Sequence, residues 1–265
     1  MNTRHTKREL TRRQFGAIAG GAMVSLALSG ATGTAMVQAA DPARLKSRPR
    51  ANGKTTASGE HPLNFGAASG RDGFLHLPPR IPDGPMPLLV LLHGASSSAE
   101  IQFRRFGARP DEAGVAVLAI DSRGETWDAI RGDFGPDVGF MDRALDYAFR
   151  VVNVDPARIT LGGFSDGATY ALSLGLVNGD LFPRVVAFSP GFVIPHDWTG
   201  KPKVFISHGT ADPILPIDQC SRRIVPELRQ KGYDVNFREF DGGHMVPDAV
   251  VVEAMAWIAA PPQKR

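Results

Sequence analysis

The stretch Gly163-Phe164-Ser165-Asp166-Gly167 (GFSDG) decides how this chain is read. Before it runs the apolar Ile159-Thr160-Leu161, and after it the helix-like Ala168-Thr169-Tyr170-Ala171-Leu172. A strand therefore ends and a helix begins across one tight turn, with a serine at its apex. Glycines on both sides keep side chains out of the turn where it is sharpest. The turn lifts the Ser165 hydroxyl above the sheet edge, and the helix N-terminus adds positive potential where negative charge would develop. By itself the pentapeptide also suits a serine in an ordinary turn, so the rest of the chain has to decide.

A serine hydroxyl attacks poorly at neutral pH without a base to take its proton and a carboxylate to orient that base. Both follow in the chain. The strand pattern Lys203–Ser207 runs into His208-Gly209-Thr210-Ala211-Asp212-Pro213, and Val235–Phe240 runs into Asp241-Gly242-Gly243-His244. Ser165, Asp212 and His244 each follow a different strand, and catalytic groups in parallel α/β sheets gather at those C-terminal ends. Attack on a carbonyl also needs two N–H donors for the oxyanion. The residue after the nucleophile, Asp166, offers one. The loop Leu91-Leu92-His93-Gly94-Ala95-Ser96 offers the other, with Ala95 first and Ser96 second.

Apolar runs at 88–92, 115–120, 159–163, 185–188, 203–207 and 235–240 read as strands, several of them buried on both faces. Helical patterns at 99–112, 138–152, 166–177, 218–231 and 247–258 alternate with them. The expected fold class is α/β: a mainly parallel sheet flanked by helices on both faces. Only roughly fifteen residues separate the strands at 185–188 and 203–207, too few for a sizeable cap domain.

With those loops read, the chain resembles a small α/β-hydrolase, similar to the phospholipase/carboxylesterase and polyhydroxybutyrate-depolymerase-like esterases. The resemblance spans about residues 74–258 and rests on LLHGASS, GFSDG, HGTADPILP and GGHMVP. It implies Ser165, Asp212 and His244 as catalytic triad, acyl transfer to water through an acyl-enzyme, and no cofactor or metal. The run Ala95–Ser98 departs from the longer or glycine-rich oxyanion loops of relatives, which leaves acyl and alcohol specificity open. Thioesters, a hydroxyalkanoate polymer and amides stay open beside simple esters, as does a non-catalytic binding module on the same fold. Dienelactone hydrolases share the layout but use a cysteine nucleophile, where this chain has Ser165.

The first 39 residues begin basic, with Arg12-Arg13 two positions before Phe15, continue through a weakly apolar, small-residue stretch to Val37, and end on Val37-Gln38-Ala39. This pattern predicts a twin-arginine signal peptide cleaved by signal peptidase, hence a periplasmic or secreted protein and the export machinery as a partner. Retained, the stretch would be a membrane anchor, for which it is poorly hydrophobic. Residues 40–62, polar and basic, read as a flexible linker, and 63–262 as the hydrolase domain. The formal charge of +3 sits in the leader, which carries a net +4, so no nucleic-acid partner is implied. The single cysteine, Cys220, excludes an intramolecular disulfide.

Ser96, Trp127, Phe192, Trp198 and Met245 fall in loops at the expected active-site end and are candidates for a substrate pocket, with core packing the alternative for each. His93 and His208 precede glycines after strands and read as structural. Asp121 precedes the serine and reads as a turn cap. His61, His76 and His196 lack the spacing of a metal site.

Overall fold

Strand β3 (Met86–Leu92) is buried along its whole length. Leu88, Val90 and Leu92 pack into one apolar cluster while Leu89 and Leu91 pack into another. A strand apolar on both sides requires a helical layer on each face of its sheet. The computed structural model describes residues 41–50, 56–66 and 70–262, so the signal-peptide reading of residues 1–39 lies outside the described residues.

Eight strands form one sheet in the order β1-β2-β4-β3-β5-β6-β7-β8. Besides β3 they are β1 (Gly59–Pro62), β2 (Gly73–Leu77), β4 (Ala116–Ile120), β5 (Val154–Phe164), β6 (Arg184–Phe188), β7 (Lys203–Gly209) and β8 (Val235–Phe240). From β4 across to β8 every pairing is parallel, whereas β1 and β2 pair antiparallel at one edge. Helices α4 (Pro136–Val151), α5 (Asp166–Val177) and α6 (Ser221–Gln230) bury their apolar sides against one face, and α1 (Ala99–Arg104) and α7 (Asp248–Ala259) against the other. Residues 189–202, between β6 and β7, hold no helix or strand, so no cap covers the C-terminal edge there.

Residues 99–112, expected as one helix, are instead α1 and the short α2 (Arg109–Ala113). Gly107 turns the chain at φ +53° between them, and Pro110 sits in the first turn of α2, where its missing N–H costs nothing. Strands β1 and β2 and the one-turn α3 (Asp128–Arg131) were not expected.

Where residues 40–62 are described, at 41–50 and 56–62, the flexible linker expected there is corrected by the packing. Ala43 and Leu45 are buried in the core cluster that contains α4 and α5. The Leu45 N–H donates to Asn178 Oδ1 at 2.9 Å, while Asn178 Nδ2 donates to Ala43 O at 2.8 Å. Asp142 Oδ1, on α4, accepts the N–H groups of Lys46 and Ser47 at 2.8 and 2.7 Å. Arg44 and Arg48 both reach Asp180 Oδ2, at 3.0 and 2.7 Å. The basic residues that suggested a solvated tether have acidic partners far along the chain, and two apolar anchors between them are too few to make a visible pattern.

Candidate active site

Ser165 sits between β5 and α5 at φ +58° and ψ −122°, a conformation that costs a non-glycine residue about 1–3 kcal/mol. The flanking glycines show why the turn tolerates no side chains. A Cβ on Gly163 would stand 2.3 Å from Gly167 O, and one on Gly167 would stand 2.4 Å from His93 O and 2.6 Å from Leu92 O. Helix α5 thus approaches β3 and β5 at backbone contact. The Ser165 N–H donates to Phe188 O at 2.9 Å, tying the turn to the end of β6.

The three loops meet at this edge. His244 Nε2 lies 2.9 Å from Ser165 Oγ, and His244 Nδ1 lies 2.6 Å from Asp212 Oδ2. Asp212 Oδ1 accepts the N–H groups of Ile214 and Leu215, each at 2.9 Å. Burial pushes the Asp212 carboxyl upward, but the bonds from His244 and from the Leu215 and Ile214 backbone outweigh it and hold the pKa below the ordinary aspartate value. Asp212 is therefore an anion. It makes Nδ1 of His244 the protonated nitrogen, which leaves Nε2 free to accept the serine proton. The imidazole itself is supported by Phe164, whose ring centroid is 4.7 Å away.

A Cβ on Gly94 would stand 3.2 Å from Ser165 Cβ, so the loop after β3 reaches the serine only because residue 94 has none. His93 Nδ1 bonds Gly94 O at 2.7 Å, and that carbonyl belongs to the same peptide unit as the Ala95 N–H. The ring nitrogen thereby fixes the orientation of the peptide unit that carries the Ala95 N–H. Burial lowers the pKa of His93, which stays neutral, with Nε2 accepting the Ser122 N–H at 3.0 Å. Among the described residues, neither the Ala95 N–H nor the Asp166 N–H donates to a protein acceptor. The Ser96 N–H, the second candidate, is spent on Glu125 O at 2.9 Å, and its hydroxyl on Glu125 Oε1 at 2.9 Å.

Two supports of the site were missed in the sequence. Thr126 Oγ1 donates to Asp166 Oδ2 at 2.6 Å and draws that side chain aside. Thr169 Oγ1 accepts the Gly191 N–H at 2.8 Å, fixing the chain beyond β6 to α5. Each joins residues more than twenty positions apart, and neither leaves a local motif.

The pocket candidates divide. Trp127 is fully buried, its Nε1 donating to His93 O at 2.8 Å and its ring packed on Tyr170, so it is a core residue and not a pocket wall. Phe192 and Trp198 line a groove of about 590 Å³ between residues 191–198 and α6. Met245 is 48% exposed immediately after His244. Ser96 is exposed beside Ala95 and bonded to Glu125, away from that groove's lining. Asp121 accepts the Ala99 N–H at 2.8 Å at the start of α1. His61 bonds Ala57 O, His76 pairs with Asp111 and His196 with Asp41. Among the described residues no three His, Cys, Asp or Glu side chains converge as metal ligands would, and no helix is long and apolar enough to cross a membrane.

The sequence model of the phospholipase/carboxylesterase family matches residues 139–260, which include all three of Ser165, Asp212 and His244. The chain is similar to NocK of Nocardia uniformis subsp. tsuyamanensis, a candidate esterase, at 34% identity over 54% of this chain and 44% of that one. It is similar to acyl-protein thioesterase 1 of Gibberella zeae at 31% identity over 41% of this chain and 51% of that one. The chain thus spans about half the length of the curated relatives it matches. Among solved structures, esterase PE8 superposes with a TM-score of 0.58 at 23% identity, over 71% of this chain and 97% of that one. That likeness carries the fold: the chain has the α/β-hydrolase fold, with no large cap among the described residues.

Proposed function

We propose that this protein is a serine hydrolase that cleaves carboxylic esters through an acyl-enzyme. The observation that carries the reading is the unbroken relay from Ser165 Oγ through the His244 ring to Asp212 Oδ2, at 2.9 and 2.6 Å. Ser165 Oγ attacks the ester carbonyl carbon while its proton passes to His244 Nε2. The oxyanion accepts from the Ala95 and Asp166 N–H groups. His244 then returns the proton to the leaving alkoxide, so the alcohol departs and the acyl group stays on Ser165. Water repeats the cycle in reverse order of roles: His244 takes its proton, the hydroxide attacks the acyl carbon, and the proton goes back to Ser165 Oγ as the acid leaves. Asp212 keeps its charge throughout and stabilises the imidazolium.

The open edge beyond β6 supports esters presented from solvent. Similarity to a protein named as a thioesterase keeps thioesters in the same reading, since the sulfur leaving group asks less of the acid. Residues 1–39 support export by the twin-arginine route and a periplasmic or secreted location, with signal peptidase and the export machinery as partners; the reading there rests on the sequence motif alone.

The test is hydrolysis of p-nitrophenyl esters from acetate to palmitate, and of matching thioesters, by the wild type and Ser165→Ala, with fluorophosphonate labelling alongside. Labelling and turnover in the wild type, both lost in Ser165→Ala, are expected. A folded wild-type protein that neither labels nor turns over any ester would replace this reading with a binding module.

A further inference from the structure

A second histidine approaches the catalytic acid. His208, at the end of β7, is fully buried, and its Nε2 lies 2.7 Å from Leu215 O and 3.3 Å from Asp212 Oδ2, the oxygen that also bonds His244. Both neighbours of Nε2 only accept, so this nitrogen carries the proton. Nδ1 lies 2.6 Å from Ser221 Oγ, at the start of α6. A ring with no solvent contact stays neutral, which leaves Nδ1 bare and makes the Ser221 hydroxyl the donor. Burial does press the His208 pKa below the ordinary histidine value, against the opposing pull of Leu215 O and Asp212.

We propose that His208 is a positioning residue for the acid of the triad: its Nε2–H, shared between Leu215 O and Asp212 Oδ2, pins residues 212–215 beneath His244 and takes part of the carboxylate's hydrogen-bonding capacity away from it. The inference rests on the reading of Asp212 as the triad acid. Oδ2 is shared by two imidazoles, and Oδ1 by two backbone N–H groups, so the carboxylate side chain is closed off from water on all sides. Each donor disperses the negative charge that stabilises the imidazolium of His244. The other ionisable groups near this pair are His244 itself, Cys220 ahead of α6, and Glu239, which faces His208 across the β7–β8 ladder and is paired with Arg222. Cys220 is held in its thiol form by burial and by the Asp212 charge, and Glu239 is already neutralised by Arg222, so neither substitutes for the His208 donor.

The experiment compares His208→Asn, whose shorter amide keeps a polar partner for Ser221 but no donor toward Asp212, with His208→Gln, whose amide reaches the Nε2 position. With one donor fewer, Asp212 holds the His244 imidazolium more tightly. The ring titration of His244, followed by NMR, is expected to move up by about 0.5 to 1 in pH in the Asn variant and to stay near wild type in the Gln variant. The acid limb of kcat/KM for p-nitrophenyl acetate should move with it, kcat falling and KM holding. An unmoved His244 titration in the Asn variant, or equal movement in both variants, overturns the proposal, because a merely structural histidine would lower stability without moving that titration. In the wild type, ring-nitrogen shifts of His208 must show Nε2 protonated and Nδ1 bare at neutral pH; the opposite tautomer overturns the proposal even if no variant folds. Fluorophosphonate labelling of the wild type tests the esterase reading separately.

Discussion

The ring of Phe164 packs against the imidazole of His244 with centroids 4.7 Å apart and planes inclined at 37°. Phe164 is the residue immediately before Ser165, so one strand end both carries the hydroxyl and packs against the imidazole bonded to it. The guanidinium of Arg105 lies 4.9 Å from the same Phe164 ring, linking the turn after α1 to this stack. Phe164→Leu keeps the volume nearly apolar and full while removing the flat platform. It should lower kcat about tenfold with KM little changed, as expected when a catalytic group loses its orientation. Steady-state kinetics and a thermal melt check it, the melt showing a loss of no more than about 1.5 kcal/mol.

Gly94→Ala tests the approach of the oxyanion loop. Its new methyl would meet Ser165 Cβ at 3.2 Å, so the loop or the serine must give by a few tenths of an ångström. The protein should fold, and kcat should fall by about tenfold to a hundredfold, because the Ala95 N–H no longer meets the developing charge at full strength. Unaltered kcat would remove residue 95 from the oxyanion hole.

Trp127 and the exposed apolar residues should behave oppositely. Trp127→Ala empties a fully buried site and strands the His93 carbonyl, so a loss of about 3–5 kcal/mol in denaturant unfolding is expected. Met245→Ala and Phe192→Ala, at 48% and 46% exposure, should leave stability within about 0.5 kcal/mol and raise KM for long acyl esters.

Asp137 gives the fold a pH dependence of known sign. Burial pushes its carboxyl up to about 6, against the opposing backbone N–H bonds from Arg123 and Asp128. An unfolded aspartate titrates near about 3.9, so between about pH 4 and 6 the folded chain holds a proton that the unfolded chain has released. Stability therefore declines as pH rises through that window, by about 2–3 kcal/mol in all from this one group, and levels off above it. Asp137→Asn lacks this slope. The cost of that substitution should be greater at pH 4.5 than at pH 7.5 when both are measured by urea unfolding.

Leu45→Ala tests whether the segment ahead of β1 belongs to the domain. Leu45 is 2% exposed, and its removal should cost about 2–4 kcal/mol, against nothing for a solvated tether.

The convergence of Ser165, Asp212 and His244 was legible because each lies at a strand end within a short motif rich in glycine. GFSDG, HGTADP and DGGH each carry their geometry locally, and the close contacts at Gly163 and Gly167 give the physical reason for the first. Parallel strands were legible for a similar reason, as runs such as Leu88–Leu92 are apolar at every position. What escaped the sequence is held by distant partners. Nothing near Leu45 announces Asn178, nothing near Thr126 announces Asp166, and Trp127 in a loop gives no sign that its indole reaches the His93 carbonyl. The edge strand Gly59-Glu60-His61-Pro62 alternates half-buried and exposed positions with no large apolar residue, so its pairing with β2 left no signal.

The strap over residues 43–48 has a consequence for the order in which the chain is assembled. Its bonds reach Asp142, Asn178 and Asp180, between 95 and 136 residues further on. During synthesis these residues emerge early and wait, their apolar anchors Ala43 and Leu45 without a surface to meet until α4 and α5 exist. Contacts of such sequence separation form late, since the loop they close must first be gathered. Seating the strap therefore requires α4 and α5, and a chain in which it is seated has already built the helix that begins beside Ser165.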